Sequence, residues 1–235
     1  MTTSPPAAVP SLRILLVGYG RMGRLVDALC GEYGMEAVGR IGRREASQAD
    51  DWPAADVAVD FSVAGAVRNS VEHLAKRGTS VVIGTTGWQA EEEAVRRLAE
   101  SAGIAVVSAP NFALGVNLFL AIAGRSAELL AARAEFGAWI HELHHAAKRD
   151  APSGTAFALR DAMEGAGYGR PIDVASTRAG SIPGTHTVGW DSPSETITLT
   201  HTARDRSVFA RGALTAARWA HGRRGWFTMR DVLDL

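Results

Sequence analysis

Cysteine is nearly absent from this chain: Cys30 is the only one in 235 residues. A lone thiol has no internal partner, so no disulfide frame supports the fold, and the usage suits a reducing cytoplasm. An excess of charge of either sign is also missing. Lysine plus arginine and aspartate plus glutamate both number 25, the net charge is zero and the pI is near 7.1. The basic surplus of a nucleic-acid binder is therefore not there. No apolar run can span a bilayer, because the longest, residues 112–124, is interrupted by Asn117 and falls short of the roughly 20 residues such a helix needs. Residues 1–10, mostly prolines and small side chains, lack the basic and apolar segments of a secretion signal and read as a loose tail. Apolar residues are plentiful at 46 %, enough for the core of one large domain or two modest ones.

The first half alternates strand and helix patterns. Residues 12–17, 35–41, 56–61, 80–83 and 104–108 read as strands, with amphipathic helices over 21–33, 64–77 and 91–102. That alternation predicts an α/β fold whose first part is a Rossmann-type, doubly wound parallel sheet. From Phe112 onward the pattern changes. A long helix over 114–134 leads into a strand over 135–144. A helix opening at Pro-Ser-Gly-Thr is followed by β-rich pieces at 172–178, 185–190, 195–203 and 207–211, then a last helix over 213–221. Thr196 to His201 alternate with period two, which predicts a sheet with one wet face. The second part is thus expected to be a smaller α+β domain with an open mixed sheet.

Gly18-Tyr19-Gly20-Arg21-Met22-Gly23 follows the first strand and opens a helix, the context that gives G-x-G-x-x-G its meaning. Gly18 allows a tight turn, Gly20 lets the backbone approach a pyrophosphate, and Gly23 lets helix and sheet pack closely. At the end of the second strand, where an acid would bind the 2′-hydroxyl of NAD, the chain carries Arg40, Arg43 and Arg44. Arginines there favour a 2′-phosphate, which leans toward NADPH, although a solvated loop would look the same and NADH stays open. Asp60-Phe61-Ser62, Gly84-Thr85-Thr86 and Ala109-Pro110-Asn111-Phe112 all end strands, where an open α/β sheet holds its ligand.

The segment from Glu142 to Ala156 concentrates chemistry. His144, His145, Lys148 and Arg149 lie close together, and nothing between Glu142 and Asp150 is acidic. Like charges disfavour each other's ionisation, so the cluster calls for an anion. Ser153 is a natural N-cap, and the N–H groups of the helix it opens point outward. Two imidazoles, an ammonium and a helix N-terminus together describe a site for a small carboxylate with a proton donor at hand. His141-Glu142-Leu143-His144-His145 also fits the zinc-protease pattern H-E-x-x-H. That pattern requires a helix, whereas the alternation here predicts a strand, so no metal is expected. His186 and His201 are expected to satisfy local hydrogen bonds, Cys30 to pack in the first helix, and the six tryptophans to serve core or interface.

These motifs, in this order, resemble the bacterial dihydrodipicolinate reductase family, also called 4-hydroxy-tetrahydrodipicolinate reductases. Gly-Tyr-Gly-Arg-Met-Gly, Asp60-Phe-Ser, Gly84-Thr-Thr-Gly, Ala109-Pro-Asn-Phe, the Glu142 to Ala156 run, Arg178-Ala-Gly-Ser-Ile-Pro-Gly-Thr-His186 and Met229-Arg-Asp-Val-Leu-Asp-Leu carry the likeness across nearly the whole chain. The resemblance implies NAD(P)H-dependent reduction of a cyclic imine dicarboxylate on the way to lysine and diaminopimelate. Two alternatives stand beside it: a reductase of another cyclic imine carboxylate, and a module that binds NAD(P) without turnover. The resemblance also implies roles. His144 would give or take the proton, and Lys148 would be a second donor and charge stabiliser. His145, Ser153, Gly154, Thr155 and Arg206 would hold the substrate. Residues Gly18, Tyr19, Gly20, Arg21, Met22, Gly23, Arg43, Gly84, Thr85, Thr86, Ala109, Pro110, Asn111 and Phe112 would hold the cofactor. Residues 1–112 would form the dinucleotide domain, to which 207–235 return, and 113–206 the substrate and oligomerisation domain of a cytoplasmic homotetramer with no nucleic-acid or membrane partner.

Overall fold

The computed structural model describes residues 11–45 and 49–235; the proline-rich tail read at residues 1–10 lies outside them. The chain divides into two units, one running through Phe112 together with Phe209–Asp234, the other spanning Ala113–Val208.

The first unit is built on a six-stranded parallel sheet: β1 (Leu12–Val17), β2 (Met35–Ile41), β3 (Val57–Asp60), β4 (Ser80–Ile83), β5 (Ala105–Ser108) and β10 (Gly225–Phe227), in the spatial order β10-β5-β4-β3-β1-β2. Alternate residues of each strand feed two separate cores. Ile14, Leu16, Val57, Val59, Val82 and Val107 pack under α1 (Arg21–Leu29) and α6 (Ser207–Ala220). Leu15, Val17, Ala58, Val81, Ile83 and Val106 pack under α2 (Val67–Lys76) and α3 (Glu92–Ala102). Apolar side chains on both faces are what a fully covered parallel sheet demands. Strand order reverses between β1 and β3, and such a switch point is where open α/β sheets bind ligands, beyond the carboxyl ends of the strands. The glycine loop follows β1, and Asp60-Phe61-Ser62 lies at the end of β3.

The second unit carries a four-stranded mixed sheet in the order β7-β6-β8-β9: β6 (Gly137–His144), β7 (Ile172–Arg178), β8 (Thr185–Asp191) and β9 (Thr196–Thr202). β6 runs parallel to β7 and antiparallel to β8. The helices α4 (Leu114–Leu130) and α5 (Gly154–Gly165) share a core with the sheet, contributing Phe119, Ala123, Ala156, Leu159 and Met163. Against them the sheet sets Ala138, Ile140, Val188 and Trp190.

Two segments differ from the sequence reading. Residues 207–211, read as a β-rich piece, are the opening turns of α6. The buried series Ala210, Ala213, Leu214 and Ala217 recurs at helical spacing, and the Asp205 carboxylate accepts the Ser207 N–H at 2.7 Å where the helix begins. The 17-residue α4 also stops four residues before the reading ended it, at Leu130. β10 and α7 (Met229–Leu233) were not anticipated; three- and five-residue elements are too short to show a period.

Candidate active site

The glycine loop has the shape its spacing predicts. Gly18 adopts φ +88°, and a Cβ there would lie 2.4 Å from the Phe61 carbonyl oxygen. One on Gly23 would lie 2.3 Å from the carbonyl oxygen of Gly18. Both are held to glycine by the protein's own backbone. Gly20 is different: nothing lies within 4 Å of its would-be Cβ. It is also the N-cap of α1 and makes no side-chain capping bond. Open space over a helix N-terminus, with its first N–H groups outside the helix's own bonding, fits the pyrophosphate of a dinucleotide.

Around this loop, Asp60 ties two strand ends together. Its fully buried carboxylate accepts the Ser62 N–H and the Thr85 hydroxyl, both at 2.8 Å, and its carbonyl accepts the Gly84 N–H at 2.8 Å. Burial pushes the Asp60 carboxyl up, against the pull of the Ser62 and Thr85 hydrogen bonds. Thr85 therefore faces inward and braces the loop, while Thr86 is exposed. Phe112, expected among the cofactor residues, is a core side chain set edge-on to Phe61 at 6.4 Å. Arg40 is bound to Asp27 through two 2.7 Å contacts, and Tyr19 donates its hydroxyl to the same carboxylate at 2.5 Å. Arg43, by contrast, is exposed in the turn after β2.

In the second unit, β6 delivers its reactive side chains by strand periodicity. Along one face it carries Ala138, Ile140, Glu142 and His144. The first two belong to the core, and the last two continue the same line beyond it. Register sets His186 of β8 opposite Glu142, His201 of β9 opposite His186, and Arg178 of β7 beside His144. One face is thus apolar at one end and ionisable at the other. His141 falls on the opposite face and bonds Thr177 Oγ1 at 2.9 Å. The H-E-x-x-H run is therefore a strand, with its first two residues on opposite sides.

Glu142 is fully buried. One carboxylate oxygen takes the Arg178 guanidinium at 2.5 Å, and the other is hydrogen-bonded to His144 Nδ1. Burial alone would raise this carboxyl. Hydrogen bonds from Arg178 and Ser176, with the charges of His144 and Arg178, outweigh it and bring the pKa down to about 2. Arg178 also donates to the Asp150 carbonyl at 2.6 Å, which anchors the loop that follows β6. On that loop Lys148 Nζ pairs with both Asp150 oxygens, at 2.8 and 2.9 Å. The His144 and His186 rings meet edge to face with centroids 5.1 Å apart. Burial holds His144 below its ordinary value, with Glu142 opposing; burial also brings His186 down to about 4, so it stays neutral. His186 Nε2 lies 3.0 Å from Ser153 Oγ, which in turn accepts the Ala156 N–H at 3.3 Å as the cap of α5.

Within the positive cluster, Lys148 is paired with Asp150, and His144 with Glu142, which also takes Arg178. Ser153 is buried, and its hydroxyl supports the helix cap and His186. His144 and Lys148 belong to one bonded group through Glu142, Arg178 and Asp150, and Ser153 meets it only through His186, whose ring lies against that of His144; His145, Gly154 and Arg206 are exposed. His186 makes a local hydrogen bond, as the sequence predicts, while Arg178 carries no expected role and enters through its pairing across strands. Glu142, His144 and His186 are also the one trio among the described residues whose ligand atoms, all within 4.8 Å, could hold a metal ion. Arg178, Ser153 and the bond between Glu142 and His144 already occupy part of that donor set.

Comparison with known proteins agrees with this geometry. Residues 12–112 match the family model for the N-terminus of dihydrodipicolinate reductase, and residues 115–233 match the one for its C-terminus. The chain is 34 % identical over 235 residues to a 4-hydroxy-tetrahydrodipicolinate reductase of Christiangramia forsetii, covering 95 % of this chain and 98 % of that one. A protein of the same name from Acidiphilium cryptum is 41 % identical over 246 residues, with the same coverage of both chains. Among solved structures, a dipicolinate-bound dihydrodipicolinate reductase from Paenisporosarcina sp. TG-14 shares the fold, with a TM-score of 0.75 at 22 % identity over 93 % of this chain and 97 % of that one. A two-part match along the chain, full-length relatives above 30 % identity and a shared fold give one result: the chain belongs to the dihydrodipicolinate reductase family.

Proposed function

We propose that this chain catalyses the NAD(P)H-dependent reduction of 4-hydroxy-tetrahydrodipicolinate to tetrahydrodipicolinate, a step of lysine and diaminopimelate biosynthesis. The observation that carries the reading is the ionisable end of the second sheet, where His144, Lys148 and the start of α5 come together. A substrate with two carboxylates meets cationic or N–H groups there. The N–H groups of Gly154 and Thr155 precede the first intrahelical bonds of α5 and are free to take one carboxylate. His145 and Lys148 take the other, and Arg206 adds positive charge from the turn before α6.

Gly18 to Gly23, Arg43, the strand ends at Gly84 to Thr86 and the segment Ala109 to Asn111 hold the dinucleotide, and Phe112 supports them from the core. When bound, the reduced nicotinamide supplies a hydride to C4 of the conjugated imine that forms as the hydrated substrate loses water. Electrons displaced toward the ring leave an enamine that needs a proton at C3, and His144 gives it. Histidine suits this duty because its ordinary pKa lies near working pH. Lys148 fixes a positive charge beside the negative charge that develops, a stabilisation that needs no rearrangement during the reaction.

The test is oxidation of NADPH and of NADH by the purified protein with enzymatically made substrate. Turnover with at least one cofactor is expected, together with a loss on the order of 100- to 10,000-fold in His144→Gln. Full activity in that variant, or none in the parent protein, rejects the reading. The same proposal makes the protein a cytoplasmic homotetramer joined through the outward face of the second sheet, where Thr185 bonds Thr202 and Thr187 bonds Thr200, both at 3.0 Å. A one-chain mass in sedimentation velocity would refute that assembly.

A further inference from the structure

Glu142 has no place in the reaction as described so far, yet it is the most deeply buried charged group of the second unit, and each of its carboxylate oxygens has a cationic or ionisable partner. We propose that Glu142 is the positioning residue for the reduction: clamped by Arg178, it takes the Nδ1–H of His144 and leaves Nε2 as the ring nitrogen that exchanges the proton with substrate. This rests on the role given to His144 above.

A neutral imidazole has one N–H and one lone pair, and the hydrogen bond made by one nitrogen decides which is which. A carboxylate can only accept, so its bond to Nδ1 puts the hydrogen there and the lone pair on Nε2. When Nε2 is protonated, the imidazolium that results faces a fixed negative charge, which favours that form. Glu142 is in turn held by partners from other elements. Arg178, 36 residues away at the end of β7, donates to Oε1 and also to the Asp150 carbonyl. Oε1 is thereby engaged, and Oε2 is left for the histidine.

The charged and titratable groups around His144 come from every strand and loop beside it. Glu142 lies on its own strand, Arg178 on β7, His186 on β8 with His201 behind it on β9, and Lys148 and Asp150 on the loop. Lys148 and Arg178 push His144 toward its neutral form, and Glu142, bonded to the ring, favours the charged form. Removing its charge while keeping its shape must therefore lower the His144 pKa. If protonated His144 delivers the proton, activity is present below its pKa and lost above it, so the falling alkaline limb of kcat moves to lower pH in Glu142→Gln.

The experiment compares the parent protein, Glu142→Gln, Glu142→Asp and His144→Gln. Glu142→Gln is expected to lower kcat on the order of ten- to a hundredfold, as loss of a carboxylate behind a functional histidine does elsewhere. Its KM should be little changed and its limb displaced to lower pH, with partial recovery in Glu142→Asp. Nitrogen NMR of the parent protein, which needs no variant to fold, is expected to show His144 in the Nδ1–H tautomer when neutral. An Nε2–H tautomer, or a Glu142→Gln protein with unchanged kcat and pH limb, overturns the proposal. Failure of the underlying reading looks different: His144→Gln then retains full activity whatever Glu142 does.

Discussion

The loop after β1 and the loop after β6 each leave the end of a strand and lead to a helix N-terminus, yet they are built from different materials. In the first, the working surface is main chain. Gly18 and Gly23 are excluded from bearing side chains by the protein's own carbonyls, whereas a Cβ on Gly20 would meet open space. In the second, the working surface is side chains held in place by other side chains: Arg178 on Glu142, Glu142 on His144, Asp150 on Lys148, Ser153 on His186. A backbone site rests on main-chain geometry, here the turn from Gly18 to Gly23 with the Phe61 carbonyl against it. A side-chain site needs partners from neighbouring strands, and several of its charges are paired within the protein.

The sharpest way to break this contrast is within the glycine loop. Gly18→Ala places a Cβ 2.4 Å from the Phe61 oxygen at φ +88°, so it should destabilise the whole protein, by more than the roughly 1–2 kcal/mol of a left-handed backbone alone. Gly20→Ala meets no atom within 4 Å. It should leave the melting temperature unchanged and weaken NADPH, at about 1.5–3 kcal/mol for lost bonds to charged phosphate, or roughly 10- to 100-fold in affinity. Thermal melts with cofactor titrations decide the matter, and equal melting losses in the two variants would contradict the distinction.

A smaller effect probes the side-chain site through acid. His186 in the folded protein titrates at about 4 against an ordinary 6.5, so below 6.5 the unfolded chain binds the extra proton first. Its contribution to stability is complete above pH 6.5 and is lost as pH falls through 6.5 toward 4, amounting to at most about 3 kcal/mol. Glu142, lowered to about 2 from 4.5, adds a second loss at lower pH, as pH falls from 4.5 toward 2. Denaturant melts across this range should show a shallower slope between pH 6.5 and 4 in His186→Asn than in the parent protein. An identical slope would remove His186 from the account.

The same contrast explains what could be read from the sequence. The six strands of the first unit, apart from short β10, and the glycine fingerprint are local signals: apolar alternation, length and the spacing of three glycines. The run from Glu142 to Ala156 was legible because its residues are contiguous, and its resemblance to one family is specific. What it concealed was partnership. Glu142 read as an ordinary acid at the edge of the cluster, because Arg178 reaches it from 36 residues away, across a parallel strand pair. Ser153 reads as a helix cap in the sequence, but its partner His186 is hidden because it comes from another strand. The edge contact of Phe112 with Phe61 is equally hidden, because Phe61 belongs to a different strand end. Residues 207–211 were misread for a different reason. Five residues with Val208, Phe209 and Ala210 in a row fit a strand as well as a helix, and only the spacing through Ala217 decides.

A crystal structure with NADPH and pyridine-2,6-dicarboxylate, a flat analogue of the substrate, tests the central claim most directly. The account predicts one carboxylate on the Gly154 and Thr155 N–H groups, the other near Lys148 and His145, and the ring facing His144 Nε2. A dicarboxylate bound elsewhere, with His144 still paired to Glu142 and facing empty solvent, would contradict it.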